Sequence, residues 1–522
     1  MLDERITFCT GLGWTPPHPN SFREFFATLG QKDSPKNVPI SSFTHGAVDA
    51  FRNLGDFASD LGEPTIRLGV TGLARSGKTV FITALVHNLM AQARMPFFDA
   101  VAHGRVLRVY LEPQPDDQVP RFDYERHMAD LTATPPRWPE STRRISQLRL
   151  AIEYETQKFW KRQLGYTRLN IDIVDYPGEW LLDLPLLQLD YSEWSRAALE
   201  QSGAANRKEA AKDWHAALTE VDPATPADEA TAQRLSDLFK AYLRDARAAS
   251  HGLSTLPPGR FLMPGDLEGS PALTFAPLDA KGAESFAKGA LWAMMARRYE
   301  AYKTHVVRPF FRDHFARLGR QIVLIDVLAA LNGGKPAVAD LERAMTEILE
   351  RFRTGANSLW SSLFAPRIDR IVFAATKADH LHHTSHDRLQ AILALLAEDA
   401  MERANYAGAE VRALALAAIR ATREGIAKKN GESLPCIVGY PLLGEMIGRR
   451  HFDGSEPFAI FPGDLPANPE IALRHPHAQP DDVRFVRFLP PDPIKLPAGG
   501  FAPFPNIRLD RALQALIGDR LA

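Results

Sequence analysis

The pattern of apolar and polar positions predicts a strand, a tight turn and a helix within residues 66–90. Residues 66–70 alternate between apolar and other side chains, as a strand does. Behind them, Phe81, Leu85 and Leu89 recur at helical spacing. Two glycines lie in the short segment between these patterns. The chain is therefore expected to turn sharply from a strand into a helix.

Other parts of the chain show the same two periodicities. Two alternating runs, residues 148–154 and 169–173, predict an antiparallel hairpin. The stretch RQIVLIDVLAAL, residues 320–331, predicts a buried parallel strand. The apolar run of residues 371–375 predicts another strand, and a further strand should end near Ala417. Alanine- and charge-rich stretches lie between the hairpin and the first of these runs, and they predict helices. Strands and helices thus alternate in the manner of an α/β protein.

Composition excludes several classes of protein. The net charge is −1 and the pI is about 7.0, so no global positive field indicates binding to nucleic acid. The two cysteines, Cys9 and Cys436, are far apart in sequence, which argues against a disulfide framework and favours a reducing compartment. We find neither a signal-peptide pattern nor an apolar run long enough to span a membrane. The expected location is the cytoplasm.

The turn between the first strand and helix reads GLARSGKT, from Gly72 to Thr79. It fits the pattern G-x-x-x-x-G-K-[ST] in the strand–turn–helix context that this pattern requires. Its glycines allow backbone N–H groups to converge on a phosphate at a helix N-terminus. Lys78 is expected to reach the β- and γ-phosphates and Thr79 to ligate Mg²⁺. The predicted nucleotide contacts here are Gly72, Arg75, Ser76, Gly77, Lys78, Thr79 and Val80.

A second motif supplies an acidic group for the metal ion. The strand of residues 169–173 leads to Asp175-Tyr-Pro-Gly178, which reads D-x-x-G. In GTPases of the Ras type, this aspartate contacts Mg²⁺ and the glycine N–H senses the γ-phosphate. A threonine from the preceding loop normally closes on the same ion, and the candidates are Thr132, Thr134 and Thr142. We favour Thr142, because it lies just before the alternating strand.

A third motif concerns recognition of the nucleotide base. The apolar run of residues 371–375 is followed by Thr376-Lys377-Ala378-Asp379, which is close to the N-K-x-D motif of GTPases. The Asp379 carboxylate can accept both donors of guanine, whereas it would repel the ring acceptor of adenine. Lys377 would lay its aliphatic stem along the base, and the Thr376 hydroxyl could tie this loop to the phosphate loop. A small residue, Ala418, stands where a backbone N–H contacts the guanine oxygen in GTPases.

These motifs also carry a closer resemblance. GLARSGKT, DIVDYPGEWLLDLPLL, ATKADHL, IFPGDLP and FPNIRLDRALQALIGDRLA resemble the YcjX-like family of bacterial GTP-binding proteins over residues 46–522. The resemblance implies a Ras-like P-loop NTPase core, α/β with a mostly parallel sheet and one antiparallel strand. It also implies a large helical insertion, a C-terminal β extension and a link to stress responses.

The expected domain layout follows from this resemblance and from the patterns described above. Residues 1–45 would form a partly disordered extension, and residues 46–180 the first half of the GTPase core. This half would contain long switch loops, which include the proline- and charge-rich residues 96–143. The remaining expected parts are the helical insertion at 181–319, the second half of the core at 320–445, and the β extension with a final helix at 446–522.

Arg75 and Glu179 raise the question of catalysis. An arginine inside the loop resembles that of the guanylate-binding proteins, which use it in cis and also have threonine at the position of Thr376. Glu179 stands where Ras-type proteins have a water-positioning glutamine, but its charge would oppose a γ-phosphate unless a cation such as Arg75 lies nearby. The predicted catalytic residues are Lys78, Arg75 and Glu179. The alternative is that Arg75 only pairs with a surface carboxylate.

Three functions remain open at this point: a slow Mg²⁺-dependent GTPase switch in a stress or envelope response, an ATPase with the same core, and a nucleotide-binding scaffold that does not hydrolyse. The expected ligands are Mg²⁺ and GTP or GDP. A protein partner is expected but not named by the sequence, and both membrane association and self-association stay open. The histidines of residues 380–386 are interpreted as a solvated loop beside the base pocket, since no acidic or cysteine partner stands at fixed spacing.

Overall fold

The computed structural model describes most of a compact unit that spans Glu63–Ala522. The described residues are 64–72, 75–140, 144–157, 167–247, 257–264, 267–282, 285–350, 368–406, 408–429, 432–447, 449–474 and 485–522. The expected extension at 1–45 and the favoured metal ligand Thr142 lie outside them. None of the helices found in these ranges is both long and apolar enough to cross a membrane.

The first half of the chain supplies four strands of the central sheet. Its elements are β1 (Thr65–Gly72), α1 (Lys78–Met90), α2 (Asp99–Ala102), β2 (Val106–Glu112), α3 (Tyr124–Leu131), β3 (Ser146–Tyr154) and β4 (Thr167–Asp175). The expectation of long loops over residues 96–143 was therefore wrong for α2, β2 and α3. No residue of β2 is fully buried, because β2 is an edge strand held by its ladder with β3. An edge strand without a buried face leaves little hydrophobic alternation in the sequence.

Helices dominate the region that follows β4. A long 3₁₀ segment, Gly178–Gln188, leads into α4 (Tyr191–Ser202), α5 (Lys212–Glu220), α6 (Glu229–Arg247), α7 (Leu291–Tyr302) and α8 (Arg308–Asp313). Short 3₁₀ turns at Gly259–Phe261, Pro271–Leu273 and Phe315–Arg317 and a π-helical turn at Lys303–Val307 complete the described set. The regular elements in the described part of residues 181–319 are thus helical, while the limits of an inserted domain stay a prediction.

The second half of the chain returns to the sheet. Its elements are β5 (Arg320–Ile325), α9 (Val327–Asn332), α10 (Gly334–Glu350), β6 (Arg370–Ala375), α11 (His386–Leu396), α12 (Glu398–Tyr406) and β7 (Glu410–Ala415). Smaller elements follow, namely β8 (Arg423–Lys429), β9 (Glu432–Gly439), β10 (Met446–Ile447), β11 (Arg450–His451), β12 (Phe458–Ile460), α13 (Pro469–Arg474) and α14 (Leu509–Ile517). The C-terminal antiparallel strands therefore begin at Arg423, earlier than the expected boundary at residue 446.

The central sheet has seven strands in the order β2-β3-β4-β1-β5-β6-β7. β3 pairs antiparallel with both of its neighbours, and the other pairings are parallel. The predicted fold class is confirmed: a mostly parallel sheet with one reversed strand. The carboxyl ends of β1, β4, β5, β6 and β7 consequently meet at one edge of the sheet, which is where open α/β sheets bind ligands.

Hydrophobic cores cover both faces of this sheet. On one face, alternate residues of β1 pack with α1 and with Leu513 and Leu516 of α14. On the other, Val323 and Phe373 pack with aromatic residues of the helical region and with α11. Side chains of successive strand residues point to opposite faces, so one set of strands can serve both cores.

A C-terminal segment, residues 502–508, braces the sheet edge. The side-chain amide of Asn88 on α1 donates to Phe504 O at 3.0 Å, and its carbonyl accepts from Phe504 N at 2.7 Å. Ile507 exchanges two backbone hydrogen bonds with Ala417, at 3.1 and 2.8 Å. The segment therefore links α1 to the loop that follows β7.

Candidate functional site

The glycine turn lies between β1 and α1, as predicted. A Cβ on Gly72 would lie 2.1 Å from Ser76 Oγ and 2.8 Å from the Leu324 carbonyl oxygen, so only glycine fits. Gly77, with a φ of 85°, is the N-cap of α1 and provides no side-chain cap. The first amide groups of a helix lack partners within the helix, and an anion can accept their hydrogen bonds. The turn therefore has the form of a phosphate cradle.

Thr79 and Asp175, the residues expected to ligate Mg²⁺, lie near this turn. Both residues are buried, with 5% and 1% of their surface exposed. The parallel pairing of β1 with β4 sets Val70 opposite Asp175, so this carboxylate lies at the end of the strand next to the turn. Hydroxyl and carboxylate oxygens suit Mg²⁺. Thr132, one of the two alternative switch threonines, instead donates to the Met128 carbonyl oxygen at 2.7 Å and ends α3.

The predicted base motif follows β6. Asp379 is buried, and its Oδ2 accepts from the Ala421 N–H at 2.8 Å. Its carbonyl oxygen also accepts a hydrogen bond from the Thr422 hydroxyl. Lys377 adopts a left-handed φ of 60° and pairs through Nζ with Asp326. These contacts position the carboxylate and the lysine at the sheet edge.

The Thr376 hydroxyl bonds to the central sheet, and its expected link to the phosphate loop stays a prediction. This hydroxyl donates to the Ile325 carbonyl oxygen at 3.3 Å and so binds the end of β5 rather than the phosphate loop. Thr376 thus helps to fix the start of the base loop on the sheet.

One cavity of about 1230 Å³ joins the two ends of the site. The site residues expected from the sequence that line this cavity are Arg75, Ser76, Gly77, Lys78, Thr79, Val80, Glu179, Thr376, Lys377, Asp379 and Ala418. Gly72, Asp175 and Gly178 are not part of the lining; Gly72 lies beneath the turn, and Asp175 is packed at the end of β4. The volume is ample for a nucleotide, with a phosphate cradle and a buried carboxylate on one continuous surface.

The sequence matches the profile of the YcjX-like family, DUF463, over residues 66–521. The chain belongs to the YcjX-like family. A Ras-like GTPase YcjX from Escherichia coli (strain K12) is 40% identical to it over 471 residues, 87% of this chain and 96% of that protein. A Ras-like GTPase YcjX from Shewanella oneidensis is 35% identical over 475 residues, covering 87% and 94% of the two chains.

Several cavity residues of this YcjX-like chain were not predicted from the sequence, among them Asp326, Trp138 and Arg244. Asp326 follows β5 directly and could have been found by the rule that identified Asp175, since polar residues after parallel strands meet at one edge. Trp138 lines the cavity and donates its Nε1–H to the Phe488 carbonyl oxygen at 2.7 Å. Arg244 reaches the cavity from α6. The sequence around Trp138 and Arg244 contains no corresponding signal.

Arg75 is exposed and has a φ of 63°, a left-handed conformation that is uncommon for a residue with a side chain. It forms no ion pair with any residue in the described ranges, which disfavours the interpretation as a partner of a surface carboxylate. Strained backbone at a cavity is often part of a binding device. The guanidinium is thus available to a ligand in the cavity.

The segment after D-x-x-G is fastened to the helical region. Asp183, fully buried, accepts hydrogen bonds from the N–H groups of Gly259 and Arg260, at 2.7 and 3.2 Å, and from the Tyr302 hydroxyl at 2.6 Å. A Cβ on Gly259 would lie 1.8 Å from the Glu179 carbonyl oxygen, so this close approach requires glycine. Burial raises the pKa of Asp183 to about 6. Movement of residues 178–188 would therefore disturb the helical region.

Proposed function

We propose that this protein binds guanine nucleotides and hydrolyses GTP slowly in the presence of Mg²⁺. The observation that carries the proposal is the single cavity shared by the phosphate turn, Asp379 and Ala418. The names of the two relatives, each a Ras-like GTPase YcjX, agree with it. In this arrangement Lys78 and the α1 N-terminus bind phosphates, and Thr79 and Asp175 hold Mg²⁺, which neutralises phosphate charge.

Base choice rests on Asp379. Its Oδ2 already accepts one backbone hydrogen bond, and a carboxylate has capacity for further donors. Guanine offers two such donors on one edge, and adenine offers an acceptor at the corresponding ring nitrogen. GTP and GDP should therefore bind at least tenfold more tightly than ATP and ADP.

The test is a binding and turnover measurement on nucleotide-free full-length protein. Fluorescent GDP and ADP are titrated, and GTP and ATP hydrolysis are followed side by side. Asp379→Asn should weaken GDP binding about 100-fold, at about 1.5–3 kcal/mol for each lost charged hydrogen bond, and should shift preference toward xanthine nucleotides. Asp213→Asn, at an exposed position on α5, is the matched control.

The outcomes separate the alternatives. Equal affinity for ATP and GTP would reject guanine recognition. Tight GTP binding without turnover would leave a nucleotide-binding scaffold in place of a GTPase. A GTP preference that survives Asp379→Asn would assign base recognition to another residue.

Arg75 is proposed to act in cis on the developing charge of the γ-phosphate, with Glu179 orienting water. Support comes from the exposed Arg75 side chain at the cavity and from Glu179 on the same lining. The Arg75 charge would offset the repulsion between Glu179 and the phosphate. Lys78, Arg75 and Glu179 are thus the proposed catalytic residues.

The helical region is proposed to read the nucleotide state. Its support is the set of hydrogen bonds from Gly259, Arg260 and Tyr302 to Asp183, in the segment that follows D-x-x-G. Order or movement of such a segment is a common switching device in GTPases. A role in a stress or envelope response, and a protein partner that recognises one nucleotide state, rest on the family resemblance alone.

A further inference from the structure

A histidine-rich loop follows the base motif, and the fold brings an acidic residue from elsewhere to it. The side chains of His382, His383 and Glu424 converge so that one ligand atom from each lies within 4.8 Å of the others. Glu424 belongs to β8, some forty positions further along the chain. In the part of the chain that the structure describes, this is the place where three such metal-ligating side chains meet.

The distances suit a small cation. His383 Nδ1 lies 2.8 Å and His382 Nε2 lies 3.9 Å from the same oxygen, Glu424 Oε2. Ligand atoms around tetrahedral Zn²⁺ are about 3.3 Å apart, since its bonds to nitrogen and oxygen are about 2.0–2.2 Å. The two imidazole nitrogens lie within 4.8 Å of each other, so they would approach by at most about 1.5 Å to reach this spacing.

Surrounding groups orient the ligands. His382 Nδ1 lies 3.1 Å from Thr384 Oγ1, and a hydrogen bond there leaves the Nε2 lone pair for a metal. The other carboxylate oxygen, Glu424 Oε1, accepts from the His383 backbone N–H at 3.2 Å and faces Arg420 Nη2 at 3.3 Å. Arg420 thus holds the oxygen that points away from the imidazoles. This is the arrangement of partners that fixes metal ligands in proteins.

The site is also open to solvent. His383 and His382 are partly accessible to solvent, so an ion has an entry path.

We propose that His382 Nε2, His383 Nδ1 and Glu424 Oε2 bind a divalent transition-metal ion of the Zn²⁺ type, with solvent in the remaining position. The ion takes the place of the direct contact between His383 Nδ1 and Glu424 Oε2. It ties the loop after Asp379 to β8. Because Thr422, two residues before Glu424, donates to the Asp379 carbonyl oxygen, the ion also stiffens the base end of the cavity.

The test is calorimetric titration of Zn²⁺ into chelator-treated, nucleotide-free full-length protein, repeated with Co²⁺ to obtain a visible spectrum. Wild type should bind one equivalent and gain thermal stability. His382→Ala, His383→Ala and Glu424→Gln should each weaken binding at least tenfold and reduce the Co²⁺ absorption. His103→Ala, at an exposed histidine near α2, should bind as wild type does.

Circular dichroism should show that each variant is folded, because the site lies at the surface and its side chains are partly exposed. The proposal is overturned if wild type binds Zn²⁺ no more tightly than Glu424→Gln does. It is equally overturned if His103→Ala reduces binding as much as the three ligand variants. The readout involves no nucleotide, so its failure would leave the proposed GTPase function untouched.

Discussion

The buried carboxylate of Asp183 should make stability depend on pH in a direction opposite to that of most aspartates. Asp183 joins the segment after D-x-x-G to the helical region, and its pKa is raised from an ordinary value of 3.8 to about 6 by burial. In the unfolded chain, burial and its hydrogen bonds are lost together. The folded state therefore binds a proton on Asp183 more tightly than the unfolded state does.

The sign and size of the effect follow from this difference. The folded state holds more protons than the unfolded state between about pH 4 and pH 6, so the free energy of unfolding falls as the pH rises through this window. At 1.36 kcal/mol for each pKa unit, the loss amounts to about 3 kcal/mol in total. Roughly 1.3 kcal/mol of this loss should fall between pH 5 and pH 7. Above pH 7 the contribution is constant.

Asp183→Asn is the appropriate perturbation, because asparagine has the same shape and no charge to titrate in this range. At a single pH, two opposing effects of Asp183→Asn act on the free energy of unfolding. The amide removes a buried charge, but it places a donor against the Tyr302 hydroxyl and the Arg260 N–H. The pH dependence of the difference between variant and wild type avoids this problem. His314, whose pKa is lowered by burial, titrates in both proteins and cancels.

The assay is urea denaturation of both proteins from pH 5 to pH 7.5, followed by tryptophan fluorescence. The stability of Asp183→Asn relative to wild type should rise by about 1.3 kcal/mol from pH 5 to pH 7. Asp213→Asn serves as an exposed control and should show no such trend. A flat difference would mean that Asp183 has the same pKa in both states. A falling difference would mean that its hydrogen bonds outweigh burial.

Three further outcomes are expected. Arg75→Ala should lower GTP turnover at least tenfold at saturating GTP, while GDP affinity stays nearly unchanged. Arg94→Ala, at an exposed arginine, is the control. If Arg75→Ala and wild type have equal turnover across a range of protein concentrations, Arg75 does not act in cis on the γ-phosphate. Lys78→Ala should abolish productive Mg²⁺–nucleotide binding in equilibrium titrations while circular dichroism stays native; loss of fold without nucleotide would make the loop structural. Asn88→Ala should reduce the free energy of unfolding, measured by urea denaturation, by about 2–4 kcal/mol. The reason is that it leaves both buried backbone groups of Phe504 without their partner. A loss under about 1 kcal/mol would mean that the contact between α1 and residues 502–508 contributes little to stability.

The sequence alone determined the core fold and the elements that carry the site. Strand and helix periodicity are local, and they identified β1, α1, β4 and β6 because each buries a face against a core. The turn at Gly72 and Gly77 was equally readable, since glycine is required where a side chain would collide or where φ is positive. Such constraints act within a few residues of chain.

The tertiary structure decided what depends on residues far apart in sequence. β2 is stabilised by its ladder with β3 rather than by a buried face, so its own residues carry little signal. The Asn88 bonds to Phe504 and the approach of Glu424 to His383 each join distant segments. A contact of this kind is specified by the packing of all intervening elements, and no local pattern encodes it. For that reason the sequence located the motifs proposed to bind phosphate and base, and only the fold revealed the brace, the histidine–glutamate cluster and the burial of Asp183.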